Sequence, residues 1–191
     1  MDPGEPVDVI CHFGEQSEYA VDGDPASLFV RLAAYEDYRV ADESYLGPRM
    51  TVVELCDAPK AIPVQMSAVD TRAVADAVER VAAAHAATPE QGSACPPWCI
   101  TDHDPESDHD PDPDQWRHHE GEPTTVTVRQ EWTTDTIVVR PNASDLQDRR
   151  ERRIEMSMQG RHIDNWVGWL TLSEAHLFTA GLRGALEQFP N

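Results

Sequence analysis

The chain has 191 residues and a formal charge of -20, from 35 acidic and 15 basic residues. Binding to phosphate backbones or anionic membrane surfaces needs clustered cations, so this balance argues against direct nucleic-acid and membrane association. It favours a protein partner, for which a basic surface is the best electrostatic match. Apolar residues make up 40% of the chain, somewhat low for a globular protein, but they cluster, so folded blocks separated by solvated segments are expected. Lys60 is the sole lysine; with abundant Ala, Asp, Val and Pro this suggests GC-rich coding.

The start, Met1-Asp2-Pro3-Gly4-Glu5, carries no basic or apolar leader, and no apolar run approaches the roughly 18–20 residues that span a bilayer. The expected compartment is the cytoplasm, where thiols stay reduced. Cys11 and Cys56 lie in strand-like runs, where buried free thiols are common. Residues 26–35 and 49–56 read as strands, short and bounded by Gly, Pro and Asp, and 61–66 as a further one. Residues 70–86 place Ala73, Val74, Ala77, Val78, Val81 and Ala82 on one helical stripe, with Ser67 and Asp70 at capping spacing.

The stretch 87–123 is rich in proline and carries seven acids between Asp102 and Asp114. It cannot bury enough apolar surface to offset its ordering entropy, so it should be loop unless something clamps it. The means are present: Cys95-Pro96-Pro97-Trp98-Cys99 is followed by His103, His109, His118 and His119. Zinc takes thiolate and imidazole in a tetrahedral set of four. Pro96 and Pro97 favour a tight knuckle over a helix, and Trp98 would shield the sulfurs. His118 and His119 are the candidates for the fourth ligand, with Gly121 letting the chain turn away; His109 is the alternative to His103 or His118. The bland reading is a set of solvated loop residues, since the Cys-x3-Cys spacing differs from the usual Cys-x2-Cys. A closed set of four protein ligands would be structural.

Beyond the loop, residues 124–129, 135–140, 152–159 and 166–172 read as strands, and a helix covers about 174–188. Its stripe is Leu177, Phe178, Gly181, Leu182, Ala185 and Leu186, with Thr171 and Glu174 at capping spacing. A shift of 104 residues superposes the stripes and caps of the two helices. The fold class expected is therefore α+β. Two units, 1–88 and 124–191, each form an antiparallel sheet followed by one helix packed on it, joined by a zinc-clamped acidic loop at 89–123. The units are a candidate internal duplication, against the bland reading that any two capped amphipathic helices match in some register. Their strands could equally form one continuous sheet.

Other constellations carry less. Asp108, Asp110, Asp112 and Asp114 alternate like a calcium loop, but Pro113 and His119 occupy the positions where glycine and glutamate belong. No His-Glu-x-x-His is present, and His118-x-Glu120 follows the cysteines where a zinc deaminase needs it before them. Neither a phosphate loop nor a Gly-x-Ser-x-Gly elbow occurs. Cys11 and His12, adjacent on a strand, would point to opposite faces. Arg149, Arg150, Arg152 and Arg153 read as a solubilising strand edge or a contact for acidic groups. Trp166 and Trp169 flank Gly168 and read as core, with an aromatic binding edge as the alternative.

The pattern Cys95-Pro96, Trp98-Cys99, Asp102-His103 and then His119 with Gly121 resembles a family of small proteins from actinobacteria and their phages. In that family a cysteine–histidine knuckle precedes a short β-rich unit ending in a helix. The resemblance covers about residues 91–191 and selects Cys95, Cys99, His103 and His119 as ligands of a structural Zn2+ ion. It brings no assigned activity. The function expected is a non-enzymatic protein-interaction or regulatory module. The alternatives are an acidic nucleic-acid mimic blocking a basic site, and a zinc hydrolase with His118, His119 or Glu120 near an open metal position.

Overall fold

A computed structural model describes residues 8–20, 27–39, 44–46, 49–57, 60–88, 95–103, 117–129, 134–146, 149–160 and 163–187. The first half is an antiparallel sheet of β1 (Asp8–Ala20), β2 (Ser27–Arg39), β3 (Ser44–Leu46), β4 (Arg49–Asp57) and β5 (Lys60–Met66). Its order is β1-β2-β4-β5, with β3 on the far end of β2. Helix α1 (Ala68–Ala86) follows. The second half is another antiparallel sheet, of β6 (Arg117–Glu120), β7 (Thr124–Arg129), β8 (Thr134–Leu146), β9 (Arg149–Gly160) and β10 (Ile163–Leu170), closed by α2 (Leu172–Glu187). Its order is β10-β9-β8-β6, with β7 also on β8. The fold is mixed α+β, and the strands form two sheets rather than a continuous one.

Both helices start where the local chemistry dictates. The Ser67 hydroxyl accepts from the Asp70 amide at 3.1 Å. At the second helix the Glu174 amide donates to Thr171 Oγ1 at 3.2 Å, and Glu174 Oε2 accepts from the Thr171 amide at 2.7 Å, a reciprocal capping box. Ala68 and Leu172, the first helical residues, lie 104 positions apart. The five buried residues of α2 (Ala175, Phe178, Thr179, Leu182 and Ala185) fall at that same offset from Thr71, Val74, Ala75, Val78 and Val81, all buried in α1.

The placement of the helices departs from the expectation that each covers its own sheet. Helix α1 lies chiefly against β7, β8 and β9 of the second sheet, while α2 reaches β1, β2 and β4 of the first as well as β9 and β10. The helices also pack on each other. Arg183 of α2 pairs with Asp76 and, at 3.0 Å, with Glu79 of α1. Amphipathic periodicity says that one face of a helix is buried, not which sheet buries it. The result is one contiguous apolar cluster that includes Val64 and Met66 of β5, Val74 and Val78 of α1, Ile137, Ile154, Met156 and Met158 of the second sheet, and Phe178 and Leu182 of α2.

Two expectations about side chains are corrected. Leu177 is 60% exposed, because the stripe of α2 runs through Phe178 and leaves its neighbour on the solvent side. The arginine cluster is not a uniformly solvated edge: residues 149–153 pair with β8 alone, since β10 pairs with β9 only from Ile154 onward, and Arg149 is exposed, yet its neighbours turn inward. Arg150 is buried and Arg152 half-buried; Arg152 Nη1 donates to the carbonyls of His85 at 3.2 Å and Thr88 at 2.9 Å, so a cation closes the C-terminal end of α1. The Trp166 side chain, and those of Cys11 and Cys56, lie outside the described residues, and Trp169 is half-buried.

One edge of β8 carries two strands in succession. β7 pairs with residues 134–139 and β6 with residues 142–145, so 117–129 is a single edge interrupted at 121–123. The interruption falls opposite Pro141, whose carbonyl accepts from the Gly121 amide at 2.9 Å. The donorless Pro141 nitrogen faces that same gap, which is why proline is tolerated inside a sheet here. Residues 117–120, assigned to the connecting loop from sequence, are therefore strand, and they carry His119 to the core side of the sheet.

The core makes a contrast that denaturation can measure. Phe178→Ala is expected to cost about 3–5 kcal/mol, from lost burial plus the cavity left behind. Leu177→Ala, one position away on the exposed side, should stay within about 0.5 kcal/mol of the parent. Equal losses at both positions would contradict the helix orientation.

Candidate metal centre

The knuckle 95–103 is fixed from two sides. The Cys99 amide donates to the Pro96 carbonyl at 3.0 Å, a tight turn around Pro97 and Trp98. Cys99 then bridges Gly121, and the Ile100 amide donates to the Glu120 carbonyl at 2.8 Å, so the knuckle adds to the outer edge of β6. On the other side the Trp98 indole donates to Thr88 Oγ1 at 2.7 Å and its ring lies 5.1 Å from that of His85. Gly121 serves close approach rather than a turn: a Cβ there would overlap the Pro141 ring and press on Trp98.

This framework gathers Cys95, Cys99, His103 and His119, whose donor atoms all lie within 4.8 Å of one another. Cys95 Sγ is 3.6 Å from His119 Nδ1, Cys99 Sγ is 3.5 Å from His103 Nε2, and the two ring nitrogens are 3.0 Å apart. A tetrahedral zinc with bonds of about 2.3 Å to sulfur and about 2.0–2.1 Å to nitrogen has sulfur–nitrogen edges of about 3.5 Å and nitrogen–nitrogen edges of about 3.4 Å. The donors are thus spaced for one small ion and only slightly too close at the nitrogens. Two soft thiolates with two imidazoles suit zinc over magnesium or calcium, which take oxygen donors.

Behind the donors stands a second layer. His119 is fully buried, and its Nε2 donates to Asp145 Oδ2 at 2.9 Å, which leaves the Nδ1 lone pair aimed at the cluster. Asp145 is held in turn by the guanidinium fork of Arg150, at 2.5 Å to Oδ1 and 2.8 Å to Oδ2. A carboxylate behind a ligating imidazole fixes its tautomer and raises its basicity. Burial pushes the Asp145 carboxyl up, but the hydrogen bonds from Arg150 and His119 outweigh it and hold the group below its ordinary range. Burial lowers the His119 pKa against the opposing pull of Asp145, so the ring is neutral, as a ligand must be. Burial, with a hydrogen bond from Cys99, pushes the Cys95 thiol up to about 11. A bound cation would reverse that by displacing the proton.

Neighbouring residues divide sharply. His118, next to His119 on the strand, points to the opposite face, where it is 50% exposed and meets Glu120 and Ser144. It belongs to a cleft of about 290 Å³ lined also by Asn142, Ser144, Glu151, Arg153 and Trp169. His109 lies outside the described residues. Asp145 and Arg150 were not singled out as site residues from sequence; no motif marks them, and only the pairing of β8 with β6 and β9 brings them behind His119.

His85 supports the site from below. It is fully buried at the end of α1, with Nε2 2.8 Å from the Asn142 carbonyl and 2.7 Å from the Arg153 carbonyl, while Nδ1 has no partner. Burial lowers its pKa despite the two carbonyls.

Residues 84–190 match a family described as Domain of unknown function (DUF6907). The match spans more than half of the chain. The chain belongs to this family. The matched region takes in His85 and the last turn of α1, the whole knuckle, the second sheet and α2. No curated protein and no solved structure matches the chain. Among the described residues, no helix is long and apolar enough to cross a membrane.

Two measurements check this geometry. Asp145→Asn should weaken zinc binding about 10–100-fold in a competition titration while the fold persists, as loss of a supporting partner typically does. In the metal-free chain, imidazoles that stay neutral when folded but protonate when unfolded destabilise the fold as pH drops below the ordinary histidine value of about 6.5. For His85 and His119 the folded pKa is the lower one, so stability should be full above that value and fall progressively below it. Thermal melts between neutral pH and about pH 5 will show a falling midpoint, and NMR should find His85 titrating below the ordinary histidine value.

Proposed function

We propose that Cys95, Cys99, His103 and His119 bind a structural Zn2+ ion, and that the chain is a non-enzymatic protein-interaction or regulatory module organised by it. The observation that carries this reading is the gathering of two sulfurs and two ring nitrogens within 4.8 Å of one another, with His119 braced from behind by Asp145. Four protein donors leave no coordination position for water or substrate, which is what separates structural from catalytic zinc sites. His118 and Glu120, the residues a zinc hydrolase would recruit, pair with each other on the other face of β6. The acid excess of the chain keeps a basic protein surface as the best-matched partner.

The two halves are the products of an internal duplication in this reading. The support is the common offset of helix starts, caps and buried faces, together with the ion pair between Glu79 and Arg183, which are themselves 104 residues apart. Equivalent positions meet in this way where two copies face each other across a twofold axis.

Metal analysis of protein purified without chelator should find about one zinc per chain. Cys99→Ser and His119→Ala should abolish retention, and His118→Ala should leave it intact. At free zinc about 100 times its dissociation constant, binding should add about 2.7 kcal/mol to stability, so a strong chelator should lower the melting temperature measurably. Zinc retained by His119→Ala but lost by His118→Ala would overturn the ligand set.

A further inference from the structure

We propose that the Cys95–Cys99 pair is an oxidative modification site, at which an oxidant of the peroxide class forms an intramolecular disulfide and releases the zinc. This rests on the zinc reading above and adds its regulation. The site is asymmetric. At one end His119 is fully buried and tied to Asp145, whose partner Arg150 has a side chain only 3% exposed. Cys99 and His103 are half-buried, and Cys95 is the one exposed donor of the four. An approaching oxidant therefore meets sulfur first, and meets the more accessible of two neighbouring sulfurs. The turn from Pro96 to Cys99 folds the two cysteines back toward each other, and their sulfurs already lie within the 4.8 Å span of the donor set.

The chemistry balances with peroxide as the only added reactant. The Cys95 thiolate attacks one peroxide oxygen and breaks the O–O bond; the sulfur becomes a sulfenic acid, and the other oxygen leaves and is protonated to water. The Cys99 thiolate then attacks the sulfenic sulfur, forming the S–S bond and expelling hydroxide, which a second proton converts to water. Two electrons pass from the sulfur pair to one peroxide. A disulfide is a poor zinc ligand, so two imidazoles remain and the ion departs. The backbone contacts of the knuckle with β6, Cys99 to Gly121 and Ile100 to Glu120, need no metal and stay in place. A thiol reductant restores both thiolates, making the step reversible.

The test uses the zinc-loaded full chain, hydrogen peroxide and a chromophoric chelator, with peptide mapping by mass spectrometry. Expected is release of the bound zinc in step with a Cys95–Cys99 peptide lighter by two hydrogens. Dithiothreitol with added zinc should restore the loaded form, and a Cys11→Ser/Cys56→Ser variant should behave as the parent does. Zinc held with both thiols reduced in excess peroxide would overturn the proposal while leaving the zinc site standing. So would zinc loss accompanied by sulfinic or sulfonic acid, or by a disulfide to Cys11 or Cys56. A chain that takes up no zinc at all before peroxide is added fails the underlying reading, and this one with it.

Discussion

His119 is the hinge of the arrangement. Both ring nitrogens of this fully buried imidazole have partners: one meets Asp145, while the other faces two sulfurs and His103. Asp145, itself partly buried, needs a counter-charge and finds it in Arg150. The chain of contacts runs across three adjacent strands, β6, β8 and β9, so strand register sets the donor geometry. A shift of β6 by one residue would turn His119 to the opposite face and take it away from Asp145.

Beneath it, the knuckle rests on an aromatic and backbone scaffold. Trp98 spans the gap between Thr88 and His85 at the end of α1 and the Gly121–Pro141 break in the sheet edge. Each member limits the others: Gly121 has no room for a side chain, Pro141 needs an edge that asks for no amide, and His85 must be neutral to sit unpaired at Nδ1. The donor set is thereby preorganised at its sheet side and held by a single tight turn at its sulfur side.

Local features of this architecture were legible in the sequence. Ser67 with Asp70 and Thr171 with Glu174 announced the helix starts, because capping is decided within four residues. The apolar alternation of residues 124–129 gave β7 its bounds. The cysteine–histidine pattern pointed to the four residues that the fold brings together, although residue spacing alone left His118 and His119 open; only the resemblance chose between them. What was hidden was long-range. Arg117-His118-His119-Glu120 has no apolar residue to announce a strand, and it becomes one through pairing with β8. Arg150 reads as a surface charge until Asp145 is seen beside it. Likewise, the stripes of α1 and α2 could be read, but not that each helix would settle largely against the other half's sheet.

That exchange of covers has a consequence during synthesis. When α1 has left the ribosome, the strands β7, β8 and β9 on which it chiefly rests have not yet been made. The early half cannot complete itself and wait; its helix remains an uncovered apolar surface until the later half emerges.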